Sequence, residues 1–201
     1  MKTLHKSLFF LFLLSLYFCI DAFAQVPYYV NWSSKRQDQL FEEKNAIGNM
    51  ANDFTVVDMK GDSIRLSDLR GKVVFINFFF VECYYCMVEV PMLNGLTEKF
   101  KDKDVVFLGI ATSSTKEKIQ TMLEKHKWDF TLYPAYDYTK TEQSFSSSNR
   151  YIATMLYYTN AFPANIIIDK EGKIRHRVVG YDAKRDDGKI FSEVIENALK
   201  E

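Results

Sequence analysis

Residues 73–91, VVFINFFFVECYYCMVEVP, decide the fold of this chain. Residues 73–81 are almost continuously apolar and rich in branched and aromatic side chains, which predicts a strand that is covered on both faces. Helical spacing follows at once, and we expect a helix over about residues 84–100. Its buried stripe is predicted to be Val88, Met92, Leu96 and Phe100. Cys83 and Cys86 therefore lie where a buried strand passes into a helix.

The two cysteines are placed for thiol chemistry. The first turn of a helix offers unpaired backbone N–H groups and the positive end of the helix dipole, and both favour a thiolate. Cys83 occupies that place and is the predicted nucleophile. Cys86 follows one turn deeper on the same face, where it can resolve a mixed disulfide formed at Cys83. We therefore expect a redox-active Cys83–Cys86 disulfide that needs no other cofactor.

Other uses of two thiols are a structural bridge and a metal site. A bridge that closes such a short ring stabilises a fold little, because the chain-entropy effect grows with loop length. Zinc would have to recruit His126 and His176, which lie in separate predicted elements without finger-like spacing. We assign no metal ligands. A copper or other metal carrier that uses both thiols and one distant histidine stays open as an alternative.

Residues 1–24 form a predicted signal peptide. Two lysines precede an apolar block over residues 8–20, and Ala22-Phe23-Ala24 fits a cleavage site. The block is short for a mature membrane span. We expect cleavage after Ala24 and an exported, periplasmic or otherwise extracytoplasmic protein. Cleavage removes Cys19, whereas an uncleaved block would tether the chain to the membrane.

The mature chain is expected to hold one domain. Residues 25–46 have no clean period and form an N-terminal extension, and residues 47–201 suffice for one core. The 26 basic and 26 acidic residues balance, which argues against a nucleic-acid partner.

The sequence on both sides of the cysteine motif predicts an α/β fold. Residues 53–72 read as a strand, a Lys60-Gly61 turn, a strand at 63–66 and a helical turn, which makes a hairpin. Residues 104–112 predict a strand and residues 114–126 a helix. With the motif strand and helix they form a strand–helix–strand–helix unit, so the sheet is at least partly parallel.

The C-terminal third begins with a long segment, residues 132–160, that is rich in tyrosine and serine. Ser147 or Ser148 is expected to cap a helix there. Among the tyrosines of this segment, Tyr151, Tyr157 and Tyr158 either cover the edge of a helix or determine which partner protein binds. Residues 161–180 predict an antiparallel hairpin, and a last helix over residues 187–199 is expected to bury Ile190, Val194, Ile195 and Leu199.

Two stretches carry a family resemblance. Residues 48–96, from GNMANDF to MLNGL, and residues 162–174, FPANIIIDKEGKI, resemble the redoxin branch of the thioredoxin superfamily. They are most similar to exported thiol-disulfide oxidoreductases of the TlpA/ResA type. The resemblance implies a thioredoxin-like three-layer α/β fold. A central mixed sheet is flanked by helices, with an N-terminal hairpin and an insertion before the hairpin that contains the proline.

The resemblance also implies roles for single residues. Glu89 matches a carboxylate beneath the active-site helix that exchanges the proton of the buried Cys86 thiol. Asn77 occupies the position at which thioredoxins carry a buried Asp. An asparagine side chain cannot titrate, so the resemblance leaves Glu89 as the proton relay. Pro163 matches a cis-proline that faces the two cysteines, and the backbone of Phe162 is expected to pair with an extended substrate segment. The residues expected to contact a substrate are Glu82, Tyr84, Tyr85 and Phe162.

The motif also departs from the family. Glu82 replaces a common Trp, Tyr84-Tyr85 lacks the usual Pro or His, and Ala164 follows the proline where Thr is frequent. A carboxylate beside Cys83 opposes thiolate formation. We therefore expect a raised Cys83 pKa and a more reducing couple than in strongly oxidising relatives.

The expected function is that of an extracytoplasmic thiol-disulfide oxidoreductase. It would reduce protein disulfides, with cytochrome c maturation as one setting, and would draw electrons from a membrane-embedded donor. A peroxidase of the peroxiredoxin type is an alternative. That chemistry needs Thr or Ser three residues before the cysteine, where this chain has Phe80.

Overall fold

The computed structural model describes residues 47–134, 149, 152–153, 157, 159 and 161–201. All of these residues fall within one compact unit. The predicted signal peptide, the N-terminal extension and the serines expected to cap a helix lie outside the described residues, as do Tyr151 and Tyr158.

A five-stranded mixed sheet forms the centre of the fold, in the order β5-β4-β3-β6-β7. Its strands are β3 (Val73–Phe79), β4 (Val105–Ala111), β5 (Thr131–Tyr133), β6 (Ala164–Ile168) and β7 (Ile174–Val179). Strands β3, β4 and β5 run parallel, whereas β6 is antiparallel to both β3 and β7. A separate hairpin joins β1 (Thr55–Val57) to β2 (Ser63–Arg65), followed by a 3₁₀ turn at Leu66–Leu69. The mixed sheet and the N-terminal hairpin confirm the predicted fold class.

Strand β3 lies in the middle of the sheet, and all seven of its residues are buried. Its apolar run therefore faces protein on both sides, as predicted. The one polar residue of the strand, Asn77, is 0% exposed. The pairing register of β3 with β6 places Asn77 opposite Asn165. Two amides thus lie opposite each other in a pair of strands whose other residues are apolar.

Helix α1 (Tyr84–Phe100) follows β3 as predicted, but its buried stripe differs from the expected one. Val88 is 38% exposed and Met92 only partly buried. A strict spacing of four residues drifts by about 40° at each step on a helix with 3.6 residues per turn, so such a row cannot stay on one face. The residues that α1 buries are Cys86, Glu89, Val90, Leu93, Leu96 and Phe100.

Two further helices complete the described structure. Helix α2 (Lys116–Leu123) begins later than predicted, because Thr115 caps it and the Ser114 hydroxyl instead accepts the Val81 amide at 2.8 Å, and it also ends before the predicted residue 126. Helix α3 (Asp187–Lys200) buries Phe191, Ile195 and Ala198 most deeply. The predicted Ile190, Val194 and Leu199 are only partly buried. Within the described residues, every helix falls short of the length and hydrophobicity of a membrane span.

Tyr157 belongs to the core of the fold. It is 0% exposed, its ring packs edge-on against Phe54, and its hydroxyl donates to the Asn52 carbonyl at 2.7 Å. Tyr157 therefore serves the packing of the core and is not accessible to a partner protein.

Candidate active site

The two motif cysteines are joined at the start of α1. Cys83 is the N-cap residue, and its sulfur accepts the backbone N–H of Cys86 at 3.2 Å. The Cys83–Cys86 disulfide has an S–S distance of 2.06 Å. Cys83 keeps 7% of its surface exposed and Cys86 none. The helix N-terminus therefore offers an N–H donor to the sulfur of the more exposed cysteine, which favours its thiolate once the bridge is reduced.

Glu89 lies one turn behind Cys86 on α1 and is 3% exposed. Asn77 Nδ2 donates to Glu89 Oε1 at 2.6 Å, and Asn165 Nδ2 donates to Glu89 Oε2 at 3.1 Å. The two amides also bind each other, since Asn77 Nδ2 donates to Asn165 Oδ1 at 2.8 Å. The carboxylate is thus held through both of its oxygens.

The pKa of Glu89 is raised to about 7, chiefly because burial disfavours the charged form. The hydrogen bonds from Asn165 and Asn77 lower this pKa, the negative charge of Asp187 raises it, and the positive charge of Arg185 lowers it. A carboxyl group that titrates near neutrality can both accept and return a proton at physiological pH.

Arg185 and Asp187 form a charged pair near Glu89. Arg185 Nη2 donates to Asp187 Oδ2 at 3.0 Å and to the Gly180 carbonyl at 2.9 Å. Asp187 is 7% exposed and is the first residue of α3. The pair therefore ties the loop after β7 to the helix that packs behind the site.

Pro163 and Phe162, which precede strand β6, form a part of the site that lies outside helix α1. The Phe162–Pro163 peptide bond is cis, as the resemblance implies, and the Pro163 carbonyl accepts the Gly180 amide at 2.7 Å. Phe162 packs with the hydrophobic cluster that contains both motif cysteines, and its ring lies edge-on to Phe80 at 5.6 Å. Among the described residues, neither the amide nor the carbonyl of Phe162 has a backbone partner.

Glu82 does not act on Cys83 as an isolated charge. Its carboxylate accepts a hydrogen bond from Lys118 Nζ at 2.5 Å, and this bond lowers the pKa of Glu82. Both side chains are more than half exposed, so the pair is screened by solvent. The effect of Glu82 on the Cys83 thiolate is therefore smaller than the sequence alone predicts.

The residues between the cysteines face outward. Tyr84 is 73% exposed and Tyr85 is 53% exposed. The Tyr85 ring stacks on Tyr181 with centroids 5.5 Å apart, and the Tyr84 ring meets Tyr85 edge-on at 5.3 Å. An exposed, uncharged aromatic surface thus adjoins the disulfide.

Neither histidine that the metal alternative invokes lies in a candidate metal site. His176 is half-buried on β7, its ring lies 5.6 Å from that of Phe191, and burial lowers its pKa. In the part of the chain that the structure describes, no three His, Cys, Asp or Glu side chains form a group that could hold a metal ion.

Sequence reasoning missed three parts of this site: Asn165, Tyr181 and the Arg185–Asp187 pair. Asn165 carried a usable signal, because it is a single polar residue at the start of the apolar run of β6. Tyr181 and the charged pair lie in a loop and at a helix start, and no pattern in the sequence connects them to the cysteines.

The comparisons with known proteins agree with this geometry. The AhpC/TSA family profile matches residues 47–177. The thiol-disulfide oxidoreductase ResA of Geobacillus kaustophilus is 30% identical over 148 residues, which cover 73% of this chain and 78% of the relative. ResA of Bacillus cereus is 29% identical over 143 residues, or 71% of this chain and 75% of the relative.

Solved structures give the same result. The thioredoxin domain of a thiol-disulfide oxidoreductase from Bacteroides vulgatus superposes with a TM-score of 0.60 at 27% identity, covering 77% of this chain and 98% of that one. A thiol:disulfide interchange protein from Bacteroides sp. gives 0.58 at 27% identity, covering 79% and 93%. The chain therefore belongs to the AhpC/TSA family, within the redoxin branch of the thioredoxin superfamily, and is a thiol-disulfide oxidoreductase of the ResA type.

Proposed function

We propose that this protein reduces disulfide bonds of other proteins outside the cytoplasm, with Cys83 as the nucleophile and Cys86 as the resolving thiol. The observation that carries the proposal is a Cys83–Cys86 disulfide at the start of a helix, with the buried carboxyl of Glu89 one turn behind. The cysteine at the helix N-cap is the more exposed of the two, which suits attack on a large substrate.

The reaction begins from the reduced dithiol. The Cys83 thiolate attacks one sulfur of a substrate disulfide, which forms a mixed disulfide and expels the first substrate thiolate. Glu89 takes the proton of Cys86, and the Cys86 thiolate attacks the Cys83 sulfur. This step closes the Cys83–Cys86 disulfide and expels the second substrate thiolate, which recovers a proton from Glu89. Two electrons pass from the dithiol to the substrate.

The substrate is proposed to lie across the exposed edge of the site as an extended segment. The backbone of Phe162 would pair with it, and Tyr84 and Tyr85 would contact its side chains, with Tyr181 extending the same aromatic surface. Glu82 would flank this surface. An uncharged aromatic surface favours a segment with apolar side chains beside its cysteine.

The cellular setting rests on the predicted leader. Export through residues 1–24 would place the protein where disulfides persist, and a membrane-embedded donor would restore the dithiol. Disulfides of apocytochromes c are one substrate group consistent with the family resemblance. N-terminal sequencing of the protein from the periplasmic fraction tests export, with Gln25 expected first. A cytoplasmic protein that retains residues 1–24 would contradict it.

A peroxidase is the weaker candidate because Phe80 stands where peroxide chemistry needs a hydroxyl, and its ring packs against Phe162.

Insulin reduction by dithiothreitol tests the proposed function. The protein should accelerate the reaction, Cys83→Ser should abolish the acceleration, and Glu98→Gln, an exposed change on the same helix, should leave it unchanged as a control. Acceleration that survives Cys83→Ser would refute the proposal. Consumption of hydrogen peroxide by the same preparation, at a rate that exceeds disulfide reduction, would favour the peroxidase.

A further inference from the structure

Two buried amides enclose Glu89 from neighbouring strands. Asn77 on β3 and Asn165 on β6 are directly paired in the sheet, and they are 0% and 2% exposed. Each donates an N–H to a different oxygen of the carboxylate, at 2.6 Å and 3.1 Å. Buried polar side chains cost stability unless they are hydrogen-bonded, so this arrangement needs an explanation.

The arrangement fits the ionised carboxylate and not the protonated one. Both oxygens of Glu89 receive N–H donors, whereas a carboxylic acid would need an acceptor for its own O–H. Asn77 even leaves its Oδ1 buried without a hydrogen-bond partner among the described residues. The opposite orientation of this amide would turn that oxygen toward two acceptors, Glu89 Oε1 and Asn165 Oδ1.

We propose that Asn77 and Asn165 are positioning residues that keep Glu89 in its ionised, proton-accepting form inside the protein. The inference rests on the proposed function, in which Glu89 accepts the Cys86 proton. Burial alone would hold Glu89 protonated at neutral pH, and a protonated carboxyl cannot take a proton from the thiol. The two amides offset that effect, and they act on the reaction only through Glu89.

Other charged groups around Glu89 act in both directions. Cys83 and Cys86 lie on its own helix, Asp187 at the start of α3 raises its pKa, and Arg185 in the preceding loop lowers it. On β7, His176 responds to the same Asp187–Arg185 pair. These two charges oppose each other at Glu89, whereas both amides lower its pKa, so removal of either amide should move the Glu89 titration upward.

The reaction of the reduced protein with 5,5′-dithiobis(2-nitrobenzoate) isolates the step that Glu89 serves. Attack by Cys83 releases one thionitrobenzoate, and attack by Cys86 on the resulting mixed disulfide releases a second. Loss of one hydrogen bond to a charged group should move the Glu89 titration upward by about one pH unit. In Asn165→Leu and in Asn77→Leu the second release should therefore slow by about fivefold at pH 7 and recover at higher pH.

Asn149→Leu is the matched control. This buried amide donates to the carbonyls of Ala111, Tyr133 and Pro134 and does not contact Glu89. Its replacement should lower stability without moving the pH profile. Equal profiles for Asn165→Leu, Asn77→Leu, Asn149→Leu and the unmodified protein would overturn the inference.

Carbon-13 NMR of the Glu89 carboxyl in the oxidised protein gives a second readout that needs no thiol reaction. Its titration midpoint should rise in both amide variants. A midpoint that rises while the second release keeps its rate would support the positioning role and contradict the proposed role of Glu89. If the variants do not fold, the side-chain amide resonances of Asn77 and Asn165 in the unmodified protein should shift with the Glu89 midpoint. Amide chemical shifts that do not change as Glu89 titrates would overturn the inference.

Discussion

Replacing Glu89 with glutamine should remove a specific pH dependence from the stability of the oxidised protein. Glutamine keeps the size and shape of the side chain but cannot ionise. The disulfide is intact in the oxidised state, so neither Cys83 nor Cys86 titrates. The comparison therefore reports on the carboxyl group without interference from the thiols.

The size of the Glu89 contribution to the free energy of unfolding follows from the burial of its carboxyl group. Its pKa rises from 4.5 to about 7 in the folded protein, mainly through burial. A difference of about 2.5 pH units corresponds to about 3 kcal/mol. Between these two values the folded protein binds the Glu89 proton more tightly than the unfolded chain does. The stabilisation is therefore complete below about pH 4.5 and is lost as the pH rises through about 7.

Urea denaturation at a series of pH values between about 4.5 and 8 measures this effect. The free energy of unfolding of the unmodified protein, relative to that of Glu89→Gln, should fall by about 3 kcal/mol across the window. Taking the difference removes other titrating groups, including His176, whose pKa is lowered by burial. Glu98→Gln is a matched control on the same helix, since Glu98 is 70% exposed and pairs only with Lys101 among the described residues.

A flat difference between the two profiles would mean that Glu89 titrates equally in the folded and unfolded states, against the raised pKa of this buried carboxyl. A difference that grows in the opposite direction would show that the hydrogen bonds from Asn77 and Asn165 outweigh burial. The Glu98→Gln profile should follow that of the unmodified protein throughout.

Four other variants have definite expected results. Cys86→Ala should trap a mixed disulfide with substrate protein at Cys83, detected on non-reducing gels, and failure to trap any adduct while Cys86→Ala still binds substrate would contradict the nucleophile assignment. Glu82→Gln should lower the Cys83 thiol pKa by a few tenths of a pH unit, and Lys118→Ala should raise it, as read from the pH dependence of alkylation by iodoacetamide; equal profiles would show that this pair does not influence the thiolate. Tyr157→Phe should lower the free energy of unfolding by about 1 kcal/mol, because a buried hydroxyl loses its bond to a backbone carbonyl, and an unchanged urea midpoint would contradict that contribution.

Much of the fold follows from periodicity along the chain. The apolar run of β3 and the helix after it were predictable because both signals are local and strong. Strand β5 was not, since three residues at Thr131–Tyr133 carry too little pattern, and the strand exists through pairing with β4. The buried face of α1 was predicted only in part, because a row with a spacing of four drifts around the helix.

The site, too, contains residues that local spacing predicts and residues that only long-range contacts bring together. Cys86 and Glu89 lie on one helix and Cys83 caps it, so their spacing alone places them on neighbouring turns. Asn165 lies 76 positions from Glu89 in the chain, and only the pairing of β3 with β6 brings the two together. Tyr181 reaches Tyr85 through the loop after β7, and a loop conformation has no period from which to predict it.

The proposed reaction requires that Cys83 and Cys86 form one reversible two-electron couple. Equilibration of the protein in dithiothreitol redox buffers, followed by alkylation and peptide mass mapping, measures this couple. Both thiols should appear together in a single transition, with a midpoint nearer to about −270 mV than to the about −120 mV of strong oxidants. Cysteines that stay bridged under every buffer, or that become alkylated independently of each other, would contradict the account.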